Sequence, residues 1–293
     1  MALTEFPFAL LPFALLVLAV LSAYIQFRPA WIQKPVSIWT LFLLASLFSA
    51  YAAQLVNVLS LSGLALLFAA VFVYRQLEAG WSRELLYAFI LILSFLLITR
   101  SLPGFGSTAV YENTTFGTNV VPATLRLHYG RGFTGVLLFC ALARRIGSLR
   151  EIRKALVAAE KVPLLMLAYF VLGYILWYVP DLKFNADVVR YLVANLFFIS
   201  LANEAFFRLL VQDRLERFFG DGDTESMYLA AVITTVLFAL SYYIHGVAIE
   251  AAILIFIAGL IYAYTYGKTR RIEISILTHF LIDGILIIGF LYP

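Results

Sequence analysis

Long apolar runs broken by short charged or turn-forming clusters dominate this chain. Ten windows carry apolar residues on every helical face: Pro7–Phe27, Ser37–Asn57, Leu61–Tyr74, Glu84–Thr99, Phe133–Ala143, Pro163–Tyr178, Val188–Val211, Ser226–Tyr243, Val247–Tyr266 and Ile272–Leu291. A helix that is apolar all round belongs in a core or in lipid, and about 20 such residues cross a bilayer. The third and fifth windows are short, so they are tilted, re-entrant or extended by their neighbours, and eight or nine spans also fit. The expected fold is therefore all-α, a polytopic transmembrane helix bundle of about ten spans. The first window follows no basic residue, the first being Arg28, so it reads as a span and not as a secretory signal.

The segments between the windows refine this picture. Arg100–Gly132 is rich in Gly, Thr, Asn and Pro and reads as irregular structure over the membrane. It holds a glycosylation sequon at Asn113, a weak pattern, and His128, read as a surface loop residue. "RRIGSLREIRK" brings together Arg144, Arg145, Arg150, Arg153 and Lys154, with Lys161 close behind. The positive-inside rule places this basic loop, 144–161, in the cytoplasm. Alternation then leaves only Arg100, Arg126, Arg131, Lys183 and Arg190 on the opposite side, where both termini also fall. Trp31, Trp39, Trp81 and Trp177 sit at window ends, as an aromatic belt would. Polar residues enter the apolar windows chiefly after Pro180. Residues 1–180 are accordingly read as an N-terminal region of about six spans, and 181–293 as a core of four helices.

Composition agrees with the pattern. Hydrophobic residues make up 63% of the 293 residues and charged ones 13%, where a soluble domain is nearer half and a quarter. The expectation is a multi-pass integral membrane protein, placed in a bacterial inner membrane. The net charge of +4 fits topology signals and points to no nucleic acid. The single cysteine, Cys140, lies in an apolar run and reads as packing.

Ionisable groups within spans cost roughly 2.5–3.5 kcal/mol each on insertion scales, so they are functional candidates by default. Glu204 and Arg208 are four apart, the spacing and order of a helical ion pair. His279 and Asp283 repeat that spacing in "THFLID". His245 lies just past the eighth window, and Asn203 and Tyr242 are uncharged companions. Each pair alone could be a neutralised structural contact. Two pairs on separate helices point instead to a shared polar pocket, with a carboxylate as base toward water and a His–Asp pair steadying an oxyanion. No H-E-x-x-H motif supports a metal, although His245, His279 and Glu204 would be the alternative ligands for a divalent ion. Otherwise no cofactor is expected.

The order of these groups resembles the CPBP family, the CAAX-type prenyl-protein proteases and bacteriocin-processing or Abi proteins, over roughly residues 185–293. "NEAFFR" is similar to the family's E-E-x-x-x-R, with Glu204 at the second Glu and Arg208 at the Arg. "FALSYYIH" places Phe238 at the F of F-x-x-x-H, and His279-Phe-Leu-Ile-Asp283 matches H-x-x-x-N/D. The resemblance implies a helical intramembrane endopeptidase, in which a Glu and a His activate water and the later His and Asn/Asp steady the oxyanion. Two positions depart from it: Asn203 stands where the family has its first Glu, and Tyr242 where it has its His. A histidine follows three residues later, at His245.

Three functions stay open at this level. The first is an intramembrane protease acting on a peptide or membrane-anchored protein near a span, with Glu204 as base, His245 as its partner and Arg208 pinning Glu204. The second is an inactive relative that binds a peptide or lipid-linked partner. The third is a proton-coupled transporter, weakened because the chain shows no repeated halves.

Overall fold

Each of the ten apolar windows holds a helix, but the helices differ in length. The computed structural model describes residues 6–25, 37–114, 123–176, 178–220 and 222–290; Arg28, Trp31, Lys34 and Trp177 lie outside them. The helices are α1 (Phe6–Ser22), α2 (Ile38–Ala52), α3 (Val58–Tyr74), α4 (Trp81–Ile98), α5 (Tyr129–Leu142), α6 (Leu149–Ala158), α7 (Val162–Leu176), α8 (Ala186–Ala194), α9 (Leu201–Glu204), α10 (Asp213–Phe219), α11 (Thr224–Ile244), α12 (Ile249–Thr269) and α13 (Ile272–Gly289). Two π-helical stretches, π1 (Asn195–Ser200) and π2 (Ala205–Gln212), join α8, α9 and α10 into one helix of 34 residues.

Among the described residues, five helices are long and apolar enough to cross a membrane alone: α4, the joined Ala186–Phe219 helix, α11, α12 and α13. A sixth is added if α6 and α7, bent by 49°, count as one span. Helices α1, α2, α3 and α5 are apolar but shorter, so the expected count of about ten is not reached by this measure. Many large apolar side chains point outward, Phe48 at 77%, Leu59 at 69% and Ile175 at 69% exposure among them. Water would penalise such a surface and lipid does not. The chain is a mostly helical integral membrane protein.

Two compact units are interleaved along the sequence. The first comprises the described residues up to Ala109, Arg126–Ala143 and Phe197–Phe206. Its centre is α5, buried on all sides from Tyr129 to Ala141 but for the half-buried Arg131. The fifth window is short because this helix is a core element. Its glycines bring neighbours close: a Cβ on Gly135 would stand 2.5 Å from the Ala202 Cα. Phe13 packs edge-on against Tyr129 and Phe198, and Ser46 Oγ donates to the Pro12 carbonyl at 2.8 Å. Cys140 is buried, as expected, with its Sγ 3.7 Å from the Ala19 carbonyl. Trp39 is also buried, 5.9 Å from the Phe72 ring, so it is a core residue and not part of an interfacial belt.

The second unit comprises Val110–Leu125, Arg144–Leu196 and the described residues from Phe207 onward. Helices α11, α12 and α13 pack in sequence order, with α6, α7 and α8 beside α12 and α13. Small residues set the close approaches here too: a Cβ on Gly259 would meet Thr235 at 2.9 Å and Phe238 at 3.0 Å. Asp223 caps α11 by accepting from the Ser226 amide at 3.2 Å. The basic stretch 144–161 is not a plain loop. It folds as α6, capped by Ser148 and tied down by the Glu151–Arg271 ion pair at 3.0 Å.

The stretch Arg100–Gly132, read as irregular, instead contains a two-stranded sheet of β1 (Ser107–Thr114) and β2 (Ala123–His128). The alternation in "TLRLH" is the cause, for Leu127 is buried while Thr124 and Arg126 are exposed. Gly and Thr content masked that short period-two signal.

Candidate active site

The 34-residue helix carries Asn203 and Glu204 on the α-helical turn between two π stretches, with Arg208 in the second of them. Bonding from i to i+5 widens each π turn, and such turns recur at functional sites. The i, i+4 argument for Glu204 and Arg208 assumed α geometry, whereas the backbone from Ala205 to Gln212 is π-helical.

In the first unit, Asn203 and Glu204 are both buried, Glu204 completely. The Asn203 Oδ1 accepts a hydrogen bond from Arg131 Nη2 at 2.9 Å. A guanidinium therefore faces the amide that stands where the resembling family has a carboxylate. Nothing in the sequence tied Arg131 to this motif, because 72 residues separate the two.

In the second unit, His279 is the centre of a buried aromatic group. Its ring lies flat on Tyr262, with centroids 4.2 Å apart and planes within 10°. Phe238 meets the same imidazole edge-on at 6.1 Å and also packs against Phe207 and Tyr242, at 5.1 and 5.2 Å. The motif position of Phe238 thus has a physical reason, since this ring fills the space beside His279. Tyr262 carried no signal of its own, being one of several tyrosines in an apolar helix.

His279 Nε2 lies 3.5 Å from Asp283 Oδ2, one α-helical turn further along α13. Asp283 is held from a second helix: Asn195 Nδ2 donates to the same Oδ2 at 2.7 Å. The amide is also 3.3 Å from the Tyr191 hydroxyl. Asn195 is fully buried at the first residue of π1. Sequence reasoning passed over it; the one signal was a lone amide in the apolar run "LVANLFFIS". The arrangement fixes a carboxylate beside an imidazole, which is how a ring is oriented.

Arg208 is completely buried in the second unit. Its Nη1 donates to Gln212 Oε1 at 3.0 Å, and Gln212 Nε2 donates to the Ala263 carbonyl at 2.9 Å. Burying a charge is tolerated only with such hydrogen bonds.

His245 does not join the His279 group. It caps the C-terminus of α11, exposed, with its Nδ1 2.5 Å from the Ser241 carbonyl of its own helix. Tyr242 is half-buried in the last turn of α11, against Phe238. Among the described residues no three His, Cys, Asp or Glu side chains gather as metal ligands would.

The motif order, the buried His279 with the half-buried Asp283 beside it and the fixed phenylalanine call for comparison with known families. Residues 185–285 match the family model described as type II CAAX prenyl endopeptidase Rce1-like. This segment is Rce1-like. The match covers about a third of the chain and bears out the resemblance read from the motifs. No curated protein and no solved structure matches the chain significantly. Asn195, Asn203, Glu204, Arg208, Phe238, His279 and Asp283 all fall in the Rce1-like segment, whereas Arg131 and the helices up to α7 precede it.

Proposed function

We propose that the protein is an intramembrane endopeptidase of the CAAX type, acting on a peptide or membrane-anchored protein whose cleavage site lies near a span. The observation that carries this reading is the Asn195–Asp283–His279 arrangement inside an Rce1-like segment. Glu204 takes the base role on its motif position and its complete burial. It removes a proton from water, whose oxygen attacks the scissile carbonyl carbon. His279, oriented by Asp283, donates to the oxyanion of the tetrahedral intermediate. The proton held by Glu204 passes to the amide nitrogen as the C–N bond breaks, which restores the carboxylate. Arg208 is a positioning residue through Gln212. His245 receives no role in this reading. This chemistry needs no cofactor, and surrounding lipid is the remaining partner.

The test is cleavage of a farnesylated CAAX-type reporter peptide by the full chain in lipid vesicles. Glu204→Gln and His279→Ala should each abolish turnover while the helical signal and melting behaviour stay intact. Turnover that survives both changes sinks the mechanism. The reading also carries a location, a bacterial inner membrane with 144–161 on the cytoplasmic side; labelling of single cysteines placed in α6 from the cytoplasmic face checks it.

A second reading is favoured by one contact. The Arg131–Asn203 hydrogen bond puts an amide, which cannot take a proton, at the position of the family's first Glu. On that reading the protein binds a peptide or lipid-linked partner without cleaving it. Asn203→Glu combined with Tyr242→His separates the two: turnover confined to the double variant means that the natural chain is a binder.

A further inference from the structure

The first unit holds a pocket of about 150 Å³ remote in sequence from the Rce1-like segment, between the end of α4 and the start of α5. Its polar wall is Arg100, His128 and Arg131; Leu97, Phe105 and Gly130 are among its apolar lining. The lining is built. Arg100 adopts a left-handed backbone, φ 61°, immediately after α4, where glycine is the usual residue. Gly130 is required because a Cβ there would stand 2.9 Å from the Phe105 ring.

Arg131 has one hydrogen bond, to the neutral Asn203 amide, and its Nε is buried without a hydrogen-bond partner. No carboxylate among the described residues lies within ion-pair reach of it. A guanidinium can only donate, so the 3.0 Å contact between Arg100 Nη1 and His128 Nε2 makes that nitrogen an acceptor and the ring neutral. Helix α5 begins here at Tyr129, with no side chain capping its first amides, and a helix N-terminus adds partial positive charge. A guanidinium with unused donors, an uncapped helix start and a concave apolar rim together describe an anion site.

We propose that this pocket binds a phosphate group, either free or as the headgroup of a lipid. Size and charge decide the class. About 150 Å³ is room for about five waters at their share of liquid volume, which suits a tetrahedral oxyanion and excludes an acyl chain. The Arg131 guanidinium matches a phosphate's charge, and its unused donor and the helix amides can meet several phosphate oxygens at once. Asn203 is part of the design, since a carboxylate at that position would neutralise Arg131 and compete with the ligand.

The experiment uses the full chain in phosphatidylcholine vesicles. One arm titrates radiolabelled inorganic phosphate; the other adds phosphatidic acid to the vesicles and reads the shift in melting temperature. Saturable phosphate binding assigns the free ion. A stabilisation by phosphatidic acid that inorganic phosphate does not reproduce assigns the lipid headgroup. Either result upholds the site provided that Arg131→Gln weakens the response at least tenfold. Asn203→Asp keeps the guanidinium and should weaken it similarly, which guards against misfolding of the arginine variant. On binding, the ring protons of His128 should also titrate at higher pH. No saturable response in either arm, or wild-type affinity in Asn203→Asp, overturns the proposal.

Discussion

The Asn195 amide donates to Asp283 at 2.7 Å across 88 residues of sequence, and so ties π1 to α13 beside His279. One buried amide thereby sets the position of the Asp283 carboxylate. Asn195→Leu removes the donor. A hydrogen bond to a charged group contributes about 1.5–3 kcal/mol, so turnover should fall roughly 10- to 100-fold if it acts through the orientation of His279. Asn195→Gln, which retains an amide, should recover part of it. Steady-state cleavage by both variants in vesicles checks this, and unchanged turnover in Asn195→Leu would show that Asp283 needs no such holder.

Phe238 touches four rings, those of Phe207, Tyr242, Tyr262 and His279. Phe238→Ala should cost about 3–5 kcal/mol, the range for emptying an aromatic site in a core. Phe238→Leu keeps most of the volume and should cost far less. Thermal unfolding in detergent separates the two; equal melting temperatures for Phe238→Ala and wild type would mean that the aromatic group is loosely packed.

His128 lies outside the spanning segments and gives a pH dependence with a definite sign. Burial, then the guanidiniums of Arg100, Arg131 and Arg126, pull its pKa down from 6.5 to about 4. The unfolded chain takes up a proton near 6.5, while the native ring resists until about pH 4. Its contribution to stability is therefore complete above pH 6.5, declines as the pH falls toward 4 and levels off below. Ring titration by NMR should report the low value, and Arg100→Gln should raise it. A native ring pKa near 6.5 would remove the electrostatic argument for this wall.

Gly135 and Gly63 should respond in opposite directions to the same change. A methyl group on Gly135 meets Ala202 backbone at 2.5 Å, which neither helix can yield cheaply. Gly135→Ala should destabilise by about 1–3 kcal/mol, as overpacking does. Gly63 faces open space in the middle of α3, and Gly63→Ala should stabilise by about 0.5–1 kcal/mol through helix propensity. Melting temperatures of the two single variants are the readout, and a shift of the same sign in both would contradict the packing described.

Much of the architecture was legible because apolarity over twenty residues is a local property. Each apolar window became a helix. The Rce1-like match falls where the E-x-x-x-R and H-x-x-x-D spacings lie. Reading failed where a weak local signal met a stronger compositional one, as in β2, whose alternation was hidden among Thr and Gly. It failed also where length alone was used. The fifth window looked like a defective span, and it is the buried centre of the first unit.

The sequence by itself determined that this is a helical membrane protein, and which ionisable groups its spans contain, because both follow from residue type and period. Tertiary structure alone decided which of those groups meet. It turned His245 outward onto its own helix, drew Arg208 inward to Gln212, and brought Asn195 to Asp283 and Arg131 to Asn203. The physical reason is that a helix's rotation and depth are set by how it packs. Small contacts such as Gly135 on Ala202, and departures such as the two π stretches, re-aim whole faces without altering the pattern that a reader of the chain can see.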